Sequence, residues 1–309
     1  GAILFLSLLG LILWKGIRES ILVNSVLTVT EALGLLLVIG LGASFLGSID
    51  YFDFSTPQNP TFELPLLLST SVLVFYSFVG FEDVINMGEE VKDAERTVPR
   101  ALVLALLVAS SIYLLVALVA VSVVPAGELA LSTQPLVDVV RRAAPWFPSQ
   151  IFSVVSLLAV SNTALLNFLM GSRLIYGLAK LKILPAYLGH VNPKTKTPSR
   201  AIGLVFLLAV GLAMSGEVGT LARATSLLLL LVFVAMNLSL LKIKFSKVGP
   251  KPYFDVPVVV PALGAVGCVL LLFSGKASEW TLAGIMIAVI LVLYAIMRPK
   301  QDAIEKMVD

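Results

Sequence analysis

Long apolar runs alternate with short polar clusters along the whole chain. The runs fall near 1–14, 23–47, 64–88, 98–124, 150–172, 199–215, 224–241, 257–275 and 280–297. About 20 helical residues cross the roughly 30 Å of hydrocarbon in a bilayer, so this pattern predicts nine membrane spans. The stretch 125–149, PAGELALSTQPLVDVVRRAAPWFPS, is bounded by prolines and is too polar to span. Two readings fit it equally: a short amphipathic helix lying over one mouth of the protein, or a plain surface loop.

Composition sharpens this picture. Of 309 residues, 58% are hydrophobic and 13% charged, with a mean hydropathy of +1.00. A soluble domain so apolar would have to leave much of that surface in water, so the solvent is largely lipid and the fold class is all-α integral membrane. The single cysteine, Cys268, lies inside an apolar run, and the single histidine, His190, lies in a polar stretch. A disulfide within the chain, a thiolate or histidine metal centre and a histidine-activated nucleophile all lack parts. No glycine-rich phosphate loop is present, so neither an enzyme nor an ATP-driven pump is expected, and no cofactor or metal is implied.

The charge gives direction. Of the 22 lysines and arginines, 18 fall in loops on one side of the predicted spans and only Arg141, Arg142, Arg223 and Lys276 fall on the other. The positive-inside rule makes the crowded side cytoplasmic and puts the C-terminus there. The net charge of +3 is therefore an orientation signal and not a nucleic-acid surface. The polar connectors 180–200 and 242–257 then lie in the cytoplasm, where their lysines meet lipid headgroups. With nine spans the chain begins outside, without an initiator methionine and directly in apolar sequence, and it is expected to lack its natural start.

One run contains chemistry. VFYSFVGFEDVINMGEE, residues 74–90, carries Glu82 and Asp83 after an uncharged stretch that begins at Leu64. Its 18 uncharged residues rise only about 27 Å, so the acids could simply mark the interface. The alternative is a helix interrupted at Gly80, with Tyr76, Ser77 and Glu82 gathered within two turns and backbone groups freed to act as ligands. Beyond it, Glu82, Asn86 and Glu89 recur at helical spacing, either lining an inner vestibule or forming the solvated end of the helix. A second polar cluster, Ser161, Asn162 and Thr163, falls mid-run. Serine and threonine can bond back to their own helix, but a buried asparagine needs an ion, a substrate or a facing helix.

These residues carry a resemblance. YSFVGFEDVINMGEEVKDAERTVPRAL, residues 76–102, resembles the sixth helix and following loop of the amino acid, polyamine and organocation (APC) transporter superfamily. Residues 16–37, 171–202 and 251–264 are similar to the start of that family's fifth helix, the segment after its eighth and the approach to its eleventh. The resemblance implies an inverted-repeat fold of five plus five helices, with broken first and sixth helices crossing at the substrate site. It maps residues 1–47 to the end of the first repeat, 64–241 to the second repeat with its broken helix at 76–83, and 257–297 to two peripheral helices. The first three helices are expected to be absent.

For function, the resemblance implies a multi-pass plasma-membrane permease for amino acids or related amines. It would work by alternating access, with a proton or sodium ion as coupling ion or as an exchanger. Tyr76 would close over the substrate, and carbonyls around Ser77, Phe78 and Gly80, with Phe81 beside them, would receive its amino group. Glu82 would serve proton-linked gating, and Ser161 and Asn162 would fall in a cation site. Glu31 stands where several members carry a lysine; it could carry a proton, help hold a cation or merely sit at an interface. A non-transporting sensor, or a fragment requiring partners, is the alternative from another class.

Overall fold

The computed structural model describes residues 2–15, 17–51, 63–81, 83–86, 91–215, 218–246 and 254–297, and among these every regular element is helical. The helices are α1 (Ala2–Lys15), α2 (Ile17–Gly42), α3 (Leu64–Tyr76), α4 (Asp83–Asn86), α5 (Ala94–Val123) and α6 (Ala126–Leu131). They continue as α7 (Pro135–Ala143), α8 (Ser149–Lys180), α9 (Ser199–Ser215), α10 (Val218–Ser246), α11 (Val259–Phe273) and α12 (Ala277–Met297). Four segments are single helices long and apolar enough to cross a membrane: 25–45, α5, α8 and α10. The apolar helices at 4–14, 64–76 and 199–214 are shorter, and α11 meets α12 at a bend of 112°. The apolar runs are thus helices throughout, but the last two join at a sharp bend and the third is interrupted.

The chain packs as two compact units that cut across the expected repeat boundaries. One gathers Gly1–Phe54, Ser110–Gly211 and Met297–Asp309; the other gathers Ser55–Ala109 and Leu212–Ile296. A repeat boundary marks symmetry between segments, whereas a compact unit marks which side chains bury one another, and the two need not coincide.

In the first unit α2 lies against α8. Thr28, Glu31, Gly34, Val38 and Gly42 recur at three- and four-residue steps and so share one face of α2. A Cβ on Gly34 would lie 2.6 Å from Val155 of α8, so the backbones approach closely there. Val38 joins Val119, Val123, Phe152 and the valines of α7 in one buried cluster. Further along α8, Leu165 and Phe168 form a second cluster with Leu9 and Leu13 of α1 and Ile202 of α9. The stretch 125–149 is a pair of short helices, and α7 is amphipathic, with Val137, Val139 and Val140 buried.

In the second unit α10 is the central element. It packs on α3 and α11, with Ala222, Ser226, Leu227 and Leu230 buried along its length. Gly264 of α11 passes so close that a Cβ there would sit 2.8 Å from the Asn237 side chain. In the last turn of α10 the Lys244 ammonium donates to Asp255, which holds that carboxyl below the usual carboxylate range.

The α2 packing yields a test. A Cβ on Gly42 would fall 2.2 Å from Val119 Cγ1, a β-branched side chain that cannot swing away, whereas one on Gly40 meets nothing within 4 Å. Gly42→Ala is expected to lower stability by about 1–3 kcal/mol, and Gly40→Ala to leave it unchanged, as read from thermal midpoints in detergent.

Candidate functional site

The run from Leu64 does not continue as one helix. α3 opens with Pro65 in its first turn and ends at Tyr76; Ser77, Phe78 and Val79 then donate their amides to the carbonyls of Val74, Phe75 and Tyr76 in three-residue steps. This tightening ends at Gly80, whose φ of +115° is open to glycine and strained for any other residue. The helix restarts as α4 at Asp83. Tyr76, beside the break, is 42% exposed. Two aromatic contacts hold the segment: Phe75 before the break and Phe81 within it both pack on Phe233 of α10, with ring centroids 5.9 Å and 5.6 Å apart. One aromatic ring on an unbroken helix therefore braces both the interruption and the helix that leads into it.

The first unit holds a separate polar site, built on the α2–α8 face. Asn162 is 3% exposed. Its Nδ2 donates to the Glu31 carboxylate at 3.1 Å and to the Thr28 hydroxyl oxygen at 3.1 Å. The Thr28 and Glu31 side chains sit one turn apart on α2, which is why one amide reaches both. Among the described residues no donor reaches Asn162 Oδ1. A buried carbonyl oxygen without a donor is costly, more so in apolar surroundings. The site lies between the two apolar clusters of α8, so an acid, a hydroxyl and an orphaned amide oxygen are held together with hydrocarbon on either side along the helix.

The sequence-derived candidates therefore part into two groups. Tyr76, Ser77, Phe78, Gly80 and Phe81 lie at the break in the second unit, and Glu31 and Asn162 meet in the first. The structure separates Ser161 from its neighbour: its hydroxyl donates to the Leu157 carbonyl at 2.7 Å, and Thr163 bonds back to Ala159 in the same way. Glu82 lies outside the described residues, as do the Asp83 and Asn86 side chains and Glu89. Thr28 was not singled out from sequence; its only signal is a place three residues before Glu31 on a helical face.

A profile of the family described as "Amino acid permease" matches residues 1–297. The chain is 26% identical over 307 residues to the methylthioribose transporter of Bacillus subtilis, covering 99% of this chain and 65% of that protein. It is 24% identical over 288 residues to the branched-chain amino acid permease BcaP of the same organism, covering 89% of this chain and 60% of that one. It is 34% identical over 190 residues to the chloroplastic cationic amino acid transporter 9 of Arabidopsis thaliana, covering 62% of this chain and 32% of that one. The chain thus spans less than two thirds of the length of each of these relatives.

The break predicts a specific mutational signature. Because a Cβ on Gly80 meets nothing within 4 Å, the cost of Gly80→Ala is purely backbone strain. It is expected to destabilise by about 1–2 kcal/mol, with Gly80→Asn costing less because asparagine tolerates positive φ. Chemical denaturation of the two variants side by side checks the order.

Proposed function

The chain belongs to the amino acid permease family, and on that footing we propose that it serves as a secondary transporter of amino acids or related amines by alternating access. The observation that carries this reading is the helix interrupted between Tyr76 and Asp83 within an apolar run. In lipid, non-helical backbone is tolerated only where it is buried in protein or lines a cavity, and such interruptions supply carbonyl ligands for a substrate ammonium. Ser77, Phe78 and Gly80 provide that backbone, Phe81 flanks it, and the half-exposed ring of Tyr76 is placed to cover a bound molecule. On the strength of the charge distribution the C-terminus lies in the cytoplasm, and the resemblance to permeases suggests the plasma membrane.

The coupling site is the Glu31–Asn162 pair, with Glu82 as a second acid at the break and Ser161 beside Asn162. An ionised Glu31 accepts from Asn162 Nδ2; a protonated Glu31 would instead donate, and a turned amide would offer it Oδ1, now without a partner. The amide can thus report the protonation state of the acid to α8. Tyr113 of α5 is a titratable group within electrostatic reach of Glu31. The orphaned Oδ1 also favours a second reading, in which it joins the oxygens of Glu31 and Thr28 around a small monovalent cation such as sodium.

The family's named relatives carry branched-chain and cationic amino acids and methylthioribose, so the substrate panel should include all three. In liposomes holding the full-length protein, an inward proton gradient is expected to drive accumulation of at least one labelled amino acid. Glu31→Gln is expected to remove gradient-driven accumulation while leaving counterflow exchange. Accumulation under a sodium gradient alone would favour the cation reading, and no uptake of any panel member under either gradient would overturn the transport reading.

A further inference from the structure

The second unit buries an ion pair that the proposed transport cycle does not use. Glu279, in the first turn of α12, is 3% exposed. One of its oxygens accepts from the Lys276 amide at 2.9 Å, and the other lies 3.6 Å from Arg223 Nε on α10. The Arg223 side chain is itself only 19% exposed, and its Nη1 donates to the main-chain carbonyl of Ser69 on α3 at 2.6 Å and to the Ser69 hydroxyl at 3.3 Å. The guanidinium therefore has one edge on a buried carboxylate and the other on the backbone of the half-helix that leads into the break.

This geometry suits arginine alone. A planar fork can satisfy a carboxylate and a carbonyl at once, and it does so without losing its charge. A charge so buried at the end of an apolar run is costly unless it is paired, and here Glu279 pairs it. A carbonyl inside a helix already accepts from its own ladder, so a charged donor at 2.6 Å is an added grip on α3 and not a cap at its end. Ten residues further along α10, Phe233 braces the break itself. Arg223 and Phe233 thus fix the middle and the C-terminal end of α3 against one unbroken helix. Glu279 in turn fixes the arginine, and Gly275, whose Cβ would fall 2.8 Å from the Trp280 ring nitrogen, closes the α11–α12 bend tightly around the carboxylate.

We propose that Arg223 is a positioning residue for the interrupted helix: clamped by Glu279, it holds α3 through Ser69 and so sets how tightly the 76–81 turn closes on its substrate. The proposal rests on the transport reading for what closes there, but the clamp itself does not. Replacing a buried ion pair by apolar side chains of similar size commonly preserves or raises stability, so Arg223→Met/Glu279→Met separates grip from glue.

The test uses the full-length protein with its native cysteines replaced, reconstituted in liposomes, with Ser77→Cys as reporter. In the double variant the thermal midpoint is expected to hold, the KM for an amino acid carried by the wild type to rise about tenfold, as for one lost charged hydrogen bond, and the maximal rate to change less. Labelling of Ser77→Cys by a membrane-impermeant thiol reagent, applied from the side where α3 begins, should speed up severalfold. Arg223→Lys keeps the charge beside Glu279 but loses the fork, and should raise KM in the same direction even if the double variant fails to fold. Wild-type KM and labelling rate in whichever of these variants folds would overturn the proposal. If the parent protein carries no amino acid, the transport reading falls and the labelling comparison still decides the clamp.

Discussion

A helix surrounded by lipid can be interrupted only where something other than water takes over the backbone's hydrogen bonds and side-chain packing, and the second unit is organised around that constraint. The run from Leu64 stops at Tyr76, and the chain spends five residues in tight turns before α4. What makes this tolerable is α10, an uninterrupted helix of 29 residues. Its Phe233 ring packs on Phe75 before the break and on Phe81 within it, and α11 seats α10 through the close approach at Gly264. Without an unbroken neighbour of that length, positive φ at Gly80 would be a defect; beside it, the turn is braced.

The first unit solves a different problem by related means. α2 and α8 approach closely where Gly34 lies against Val155, and this close approach is what lets a short asparagine reach across to Glu31. Had Gly34 been larger, the two helices would stand further apart and the acid would need water or a longer partner. Along α8 the buried Asn162 falls between the cluster at Phe152 and the cluster at Leu165 and Phe168. Close packing elsewhere on the helix pair thus determines the chemistry at Asn162.

Much of this was legible in the sequence, for physical reasons that also explain where legibility ended. Hydropathy reports the solvent of a helix, so the apolar runs were readable, and glycine beside paired acids marked the weak point in the third of them. Local rules separated Ser161 and Thr163, which bond to their own helix, from Asn162, whose amide bonds across to α2. The partner of Asn162 was not readable. Glu31 lies 131 residues away, and a helical face says that a side chain points inward without saying at whom. Thr28 was missed because a threonine on an apolar helix ordinarily needs no external partner. The bend of 112° between α11 and α12 was read as an ordinary loop between two spans, since a short polar link looks the same in sequence whichever angle it closes.

Three of the four basic residues that the charge count sets apart have acidic partners within the same compact unit: Arg141 with Asp138, Arg142 with Glu128 and Arg223 with Glu279. These pairs are of two kinds, exposed and buried. The two kinds of pair also differ in consequence. Those of α6 and α7 are exposed, where such contacts contribute little to stability. The Arg223–Glu279 pair is buried, so it cannot be broken without leaving a charge stranded, and it is the one attached to a helix that ends in a break.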